Sequence, residues 1–250
     1  MANPKLRLLN TLRSGGRALA SFTTLKGART AQALAHTGLD VSNVDDADMH
    51  DKVLAIASAD ASPIIRVAGS TMPIIKRALD TGAHGILVPM INSAEDARSV
   101  VSLAKFPPRG LRGQGGPFAC FAHGIATPAE YVNQANENLL TMVQIETAAG
   151  VQNIDEICRV DGIDLVLIGP NDLALALLGY MPAKWTEPAY LNAIDAVVAS
   201  AKLHGKKCGI VVVDGEGAKQ ALERFDLVVL SADVRALQAW YKRELNIARG

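Results

Sequence analysis

Short apolar runs of strand length alternate with stretches of helical spacing along almost the whole chain, and no other feature narrows the fold so far. The candidate strands are Ala18–Thr23, Pro63–Val67, Gly85–Pro89, Leu140–Glu146, Leu165–Gly169, Lys207–Val213 and Leu227–Ser231. Between them, apolar residues three and four apart predict helices over Thr30–Thr37, Ala47–Ala59, Met72–Thr81, Ala94–Ala104, Val151–Val160, Tyr190–Leu203 and Gly217–Arg224. Strands interleaved with helices imply a parallel sheet, and seven such units in 250 residues match the length of an α/β (β/α)8 TIM barrel. The eighth strand has to lie between Gly38 and Ala47, where only Leu39–Asp46 is available. That segment is short and polar, so the expectation is a barrel with a degenerate second strand. No Gly/Ser linker, low-complexity tract or charge block divides the chain, so residues 1–250 read as one domain.

Charge narrows the choice of partners. Lys+Arg 25 against Asp+Glu 25 leaves no overall electrostatic case for nucleic acid or an acidic membrane, and a small-molecule site is the better default. No apolar run approaches the length needed to cross a bilayer. Cys120, Cys158 and Cys208 are far apart and form no Cys-x-x-Cys pair, which fits a reducing, cytoplasmic setting. The first acidic residue is Asp40, preceded by Lys5, Arg7, Arg13, Arg17, Lys26 and Arg29, a bias shared with transit peptides, so mitochondrial import is the minor alternative. The same stretch, Pro4–Arg13, also reads as a helix with Leu6, Leu9 and Leu12 near one face.

Barrel enzymes carry their working residues where strands end. Scanning those positions finds Arg66 after Ile64-Ile65, Gln144 and Glu146 at the end of Thr141-Met-Val-Gln-Ile-Glu146, and Asp172 after Leu165-Val-Leu-Ile-Gly-Pro-Asn171. Gln144 and Glu146 are two apart and therefore share one face of their strand. Two carboxylates plus water and substrate oxygens suit Mg2+ or Mn2+ rather than zinc, which prefers nitrogen or sulfur beside them. The alternative is that Glu146 caps the next helix and Asp172 organises a turn. Arg66 suits a substrate carboxylate through a two-point contact, or an acid beneath a loop. The loop Phe106–Pro117, dense in Gly and Pro, is expected at the strand ends.

Four segments in order, Lys76-Arg-Ala-Leu-Asp-Thr-Gly-Ala-His-Gly-Ile-Leu-Val-Pro-Met90, Pro107-Pro-Arg-Gly-Leu-Arg-Gly-Gln-Gly115, Val143-Gln-Ile-Glu-Thr147 and Ile168-Gly-Pro-Asn-Asp-Leu173, resemble the HpcH/HpaI aldolases, metal-dependent class II pyruvate aldolases of the citrate lyase β-like superfamily. The likeness runs from about Pro4 to Leu245, and its wording is closest to fungal members. It implies that Glu146 and Asp172 hold a divalent metal, Mg2+ or Mn2+ with Co2+ a further option. It also implies that Arg66 contacts the keto-acid or its enolate, that Gln144 supports the same pocket, and that Gly169, Pro170 and Asn171 receive the pyruvate carboxylate beside Asp172. The Arg112–Gly115 loop would shape the entrance. The assembly implied is a homo-oligomer, a hexamer built from dimers whose C-terminal helices pack on a neighbour, here Ala232–Ile247 with Leu237, Trp240, Tyr241, Leu245 and Ile247.

Family members carry an Asp-x-Glu-His-like segment at the end of the second strand, whose His serves the acid/base step. Here Gly38-Leu-Asp40 passes almost directly to Asp45-Asp-Ala-Asp-Met-His-Asp51, which resembles the following helix, so the strand and its His read as deleted, whether in the protein itself or through an altered gene model. His50 then falls on a helix, His84 before its strand at the barrel floor, and His36 and His204 near helix ends. His123, beyond the Gly-rich loop, could approach the pocket, and Asp45 and Asp46 could fold toward the mouth. The expected activity is a carbon-carbon lyase acting on 2-keto acids through a pyruvate enolate, by retro-aldol cleavage of 4-hydroxy-2-keto acids or oxaloacetate decarboxylation, with activity lowered by the missing His. The rival is a non-catalytic keto-acid binder.

Overall fold

The structure, a computed structural model, describes residues 3–44 and 48–250. Eight parallel strands close into a barrel in sequence order: β1 Ala18–Thr23, β2 Val41–Val44, β3 Ser62–Arg66, β4 Gly85–Val88, β5 Leu140–Ile145, β6 Leu165–Ile168, β7 Lys207–Val212 and β8 Leu227–Ala232. The seven expected strands lie where the apolar runs put them, to within about one or two residues at the ends, the usual uncertainty of element boundaries.

The degenerate or deleted second strand is the main correction. β2 is present, and its residues pair in continuous register with both neighbours, Ala20 opposite Val41 and Val41 opposite Ser62. Its polarity hid it from a search for apolar runs. Ser42 is fully buried, but its hydroxyl hydrogen-bonds that of buried Thr23 on β1, so the polar side chain is satisfied inside the layer. Asp40, just before the strand, accepts from the Leu19 amide at 2.9 Å and pairs with Arg7, tying the entry of β2 to β1.

Residues alternate between two cores. Ala18, Ala20, Ile64, Leu87, Met142, Leu165, Leu167 and Val229 fill the barrel interior, whereas Ile65, Ile86, Val143, Ile145, Val166 and Val228 point outward under the helices. The helix Arg7–Arg13 closes the floor: Leu6, Leu8, Leu9 and Leu12 are buried within the interior cluster, and the Leu8 amide donates to Ser62 Oγ at 2.9 Å.

The floor also holds the two central histidines. His84 Nε2 lies 2.9 Å from the Ala122 carbonyl and Nδ1 lies 3.3 Å from Ser62 Oγ, while His123 Nε2 reaches the Ala83 carbonyl at 3.4 Å. Their rings are 4.8 Å apart, and that of His123 also packs against Tyr131 at 5.1 Å. His123 is therefore at the opposite end of the barrel from the mouth. His50 lies on the helix Met49–Ser58, and His204 caps Pro188–Leu203 and contacts Asp155 at 2.7 Å.

The Gly-rich loop is corrected in the same way. It follows the helix Ala94–Ala104, whose C-terminal end is at the floor, and runs outside the barrel over the helix Met72–Asp80. Its Arg112 is buried, with the guanidinium 4.5 Å above the Phe106 ring, 3.1 Å from the Tyr131 hydroxyl and 3.4 Å from Asp80. A Cβ at Gly115 would lie 2.1 Å from an Asp80 oxygen, so glycine is needed there for the loop to sit on that carboxylate.

Candidate active site

At the C-terminal mouth, a cavity of about 270 Å3 is lined by Phe22 and Thr23 at the end of β1 with Thr24 after it, Arg66 at the end of β3, Gln144 on β5, Gly169 to Asp172 after β6, and Val211 on β7. The pleat explains this convergence. Met142, Gln144 and Glu146 are spaced two apart, so the side that carries Met142 into the interior carries the next two side chains toward the mouth. Ile64 and Arg66 repeat the pattern on β3.

The predicted polar residues form one chain of contacts. Arg66 Nε donates to Gln144 Oε1 at 3.1 Å, and Gln144 Nε2 donates to Glu146 Oε2 at 2.7 Å. The other carboxylate oxygen, Oε1, accepts from the Met90 amide at 2.9 Å. Glu146 is 1% exposed and sits behind the lining, while Asp172, in the first turn of the helix Pro170–Leu178, is exposed. The capping alternative for Glu146 fails, because the next helix, Ala148–Gln152, is capped by Thr147, whose hydroxyl accepts from Gly150 N at 3.0 Å.

Burial pushes the Glu146 carboxyl above its ordinary range, and the neighbouring Asp172 pushes it further, against the Met90 amide and the Arg66 charge. Two carboxylates brought together, one buried, make a place where positive charge is favourable. Among the described residues no group of three or more His, Cys, Asp or Glu comes together. The donor set is therefore two carboxylates, each Glu146 oxygen retaining a free lone pair, with the remaining positions open to water or ligand oxygens. That set fits a hard, oxygen-preferring divalent cation and does not fit a closed zinc site.

Gly169 makes the arrangement sterically feasible. A Cβ there would lie 2.4 Å from Glu146 Oε2 and 2.5 Å from Gln144 Nε2. The strand-end scan missed Phe22, Thr23, Thr24 and Val211, although Thr23-Thr24 is itself a polar strand end. It could not have found Met90, which contributes only its amide. Thr24 is held by Asp233, which accepts from its amide at 3.0 Å, from its hydroxyl at 2.6 Å and from the Leu25 amide at 3.0 Å. None of the five histidines lines the cavity. Asp45 and Asp46 lie outside the described residues.

Residues 33–233 match the family described as HpcH/HpaI aldolase/citrate lyase. The chain belongs to this family. It is similar to a hydroxypyruvate/pyruvate aldolase of Agrobacterium fabrum, 34% identical over 257 residues that cover 97% of this chain and 96% of that protein. It is also similar to a 2-keto-3-deoxy-L-rhamnonate aldolase of Salmonella schwarzengrund, 35% identical over 84% of this chain and 80% of that protein. Among solved structures, an HpcH/HpaI aldolase/citrate lyase family protein from Burkholderia cenocepacia J2315 superposes with a TM-score of 0.88 at 32% identity, covering 97% of this chain and 99% of that one. These relatives are bacterial and lend no support to the fungal wording of the motifs. Coverage this complete at both levels, with β2 paired in the barrel, contradicts the loss of the second strand and lends no support to a deleted segment.

Proposed function

We propose that this HpcH/HpaI aldolase family member is a carbon-carbon lyase for 2-keto acids, cleaving 4-hydroxy-2-keto acids by retro-aldol reaction and decarboxylating oxaloacetate, both through a pyruvate enolate. The observation that carries the reading is the Arg66–Gln144–Glu146 chain meeting Asp172 at the cavity. The names of the two aldolases support it. A Mg2+ or Mn2+ ion held by Glu146 and Asp172 would supply Lewis-acid polarisation of the keto oxygen. Arg66 contributes a planar cation for the keto-acid and its enolate. Gln144 fixes Arg66 and Glu146 relative to one another. After β6 the Gly169 amide is committed to the Ile145 carbonyl at 3.1 Å and Pro170 has no N–H, so Gly169 and Pro170 shape the turn while the first-turn amides of Asn171 and Asp172 face a substrate carboxylate.

With β2 ending at Val44, the next four residues are Asp45, Asp46, Ala47 and Asp48. Against the Asp-x-Glu-His pattern, the first Asp is kept and Asp48 stands in place of His. Asp48 is exposed at the mouth end of β2, and its left-handed φ of 65° is one that Asp, like Asn, enters more readily than most residues. We assign it the proton of the 4-hydroxyl group. Decarboxylation needs no such proton removed. In a Mn2+-loaded preparation, both reactions should therefore exceed a Glu146→Ala control, and Asp48→Asn should slow aldol cleavage by about 10²–10⁴-fold while largely sparing decarboxylation. Equal loss of both rates in Asp48→Asn refutes its role, and neither reaction above the control refutes the lyase.

The helix Asp233–Arg249 supports a homo-oligomer. Leu237, Trp240, Tyr241, Leu245 and Ile247 are all exposed on it, an apolar area that a second copy would cover. Sedimentation of the full chain as a monomer would refute this. Among the described residues no helix is long and apolar enough to cross a membrane. The three cysteines are unpaired and buried, which supports a cytoplasmic location.

A further inference from the structure

The amide that Met90 donates to Glu146 comes from a residue in a costly conformation. Met90 has φ 58°, in the left-handed region, yet its side chain is 53% exposed and no packing of that side chain accounts for the backbone. Each peptide N–H of this stretch has a partner: Met90 N on Glu146 Oε1 at 2.9 Å, Ile91 N on the Gln144 carbonyl at 3.3 Å, and Asn92 N on Asp96 Oδ2 at 3.0 Å. What holds the turn from within is Asn92. Its Nδ2 donates to the Met90 carbonyl at 3.1 Å, and its Oδ1 accepts from the hydroxyl of Thr147, the residue after Glu146. Its own carbonyl accepts from Asn153 Nδ2 at 2.8 Å.

We propose that Asn92 is a positioning residue for the Glu146 carboxylate. Through the Met90 carbonyl it holds the left-handed turn that aims the Met90 amide at Oε1. Through Thr147 it fixes the backbone next to Glu146 itself. Of the side chains that fit this space, Asn alone donates to one carbonyl and accepts from one hydroxyl at once. Aspartate has no donor in its ionised form, and serine is too short to span both partners. The Thr147 hydroxyl already accepts from Gly150 N, so its single proton is committed to Asn92. The helix cap after β5 and the carboxylate before it are thereby set by one side chain from the neighbouring βα loop.

The inference rests on the reading of Glu146 as a cation ligand, and one titration separates the two. Free Mn2+ would be followed by electron paramagnetic resonance in metal-stripped wild type, Glu146→Ala, Asn92→Ala, Asn92→Asp and Met90→Gly/Asn92→Ala, with the thermal midpoint of each metal-free chain measured alongside. Groups that orient metal ligands typically contribute about 10–100-fold to affinity, and a loss of that size is expected for Asn92→Ala and Asn92→Asp at a near wild-type midpoint. Glycine enters the left-handed region without a side-chain penalty, so Met90→Gly should restore part of the affinity lost in Asn92→Ala. If Glu146→Ala weakens Mn2+ but both Asn92 variants bind as wild type, the positioning role is wrong. If the double variant recovers nothing, Asn92 does not act through the Met90 turn and the proposal falls. If Glu146→Ala itself binds as wild type, the cation site and the inference fail together. Should Asn92→Ala not fold, the near-isosteric Asn92→Asp decides by the same criterion.

Discussion

At the level of single residues, the site depends on one missing methyl group. Gly169 is not left-handed; it is glycine because Glu146 and Gln144 occupy the space a Cβ would need. The two shortest contacts are to the far ends of side chains, which can swing aside, and the third, Glu146 Cβ at 3.0 Å, has to give by only a few tenths of an ångström. Gly169→Ala should therefore leave the fold intact while displacing the carboxylate, lowering kcat/KM for keto-acid cleavage by about tenfold or more, the size expected when a supporting contact is lost. Wild-type kcat/KM in Gly169→Ala would show that the Glu146 geometry does not matter to turnover. Arg66, Gln144, Glu146 and Asp172 were legible in the sequence because strand periodicity gives direction and strand ends give location. The Met90 amide and the Asn92 brace were not, since a backbone donor has no residue signature and Asn92 reads as an ordinary loop asparagine.

At the level of elements, seven strands announce themselves by apolar runs, whereas β2 needs the Ser42–Thr23 hydrogen bond to be seen as a strand at all. A polar four-residue strand carries no hydrophobic signal, and only its neighbours reveal it. The Gly-rich loop misled for a different reason: its composition declares a turn but not which end of the barrel it serves. The barrel floor carries its own prediction. Burial lowers His84 from 6.5 to about 4. Burial, with His84 beside it, lowers His123 from 6.5 to about 3. Both histidines are neutral when folded near neutrality, and the unfolded chain takes up their protons first as the pH falls below about 6.5. Stability should therefore fall from about pH 6.5 toward pH 4, by at most about 1.4 kcal/mol per pH unit for each histidine. Urea midpoints at pH 7.5 and pH 5 measure this, and His84→Asn/His123→Asn should flatten the difference. Equal midpoints at the two pH values in the wild type would contradict the assignment of two buried neutral imidazoles.

At the level of the whole molecule, the two ends of the barrel divide the work. The floor, closed by Leu6, Leu8, Leu9 and Leu12 and by the histidine pair, is built for stability, and the mouth collects polar groups from β1, β3, β5 and β6. In the proposed function the mouth binds a keto-acid through a divalent cation and Arg66 together. Oxalate, planar and doubly charged like the enolate of pyruvate, tests this by calorimetry on the metal-stripped chain with and without Mn2+. Oxalate binding should require Mn2+, disappear in Glu146→Ala and weaken in Arg66→Lys, which keeps the charge but loses the planar two-point contact. Oxalate binding of equal strength without Mn2+ and in both variants would contradict the proposed function.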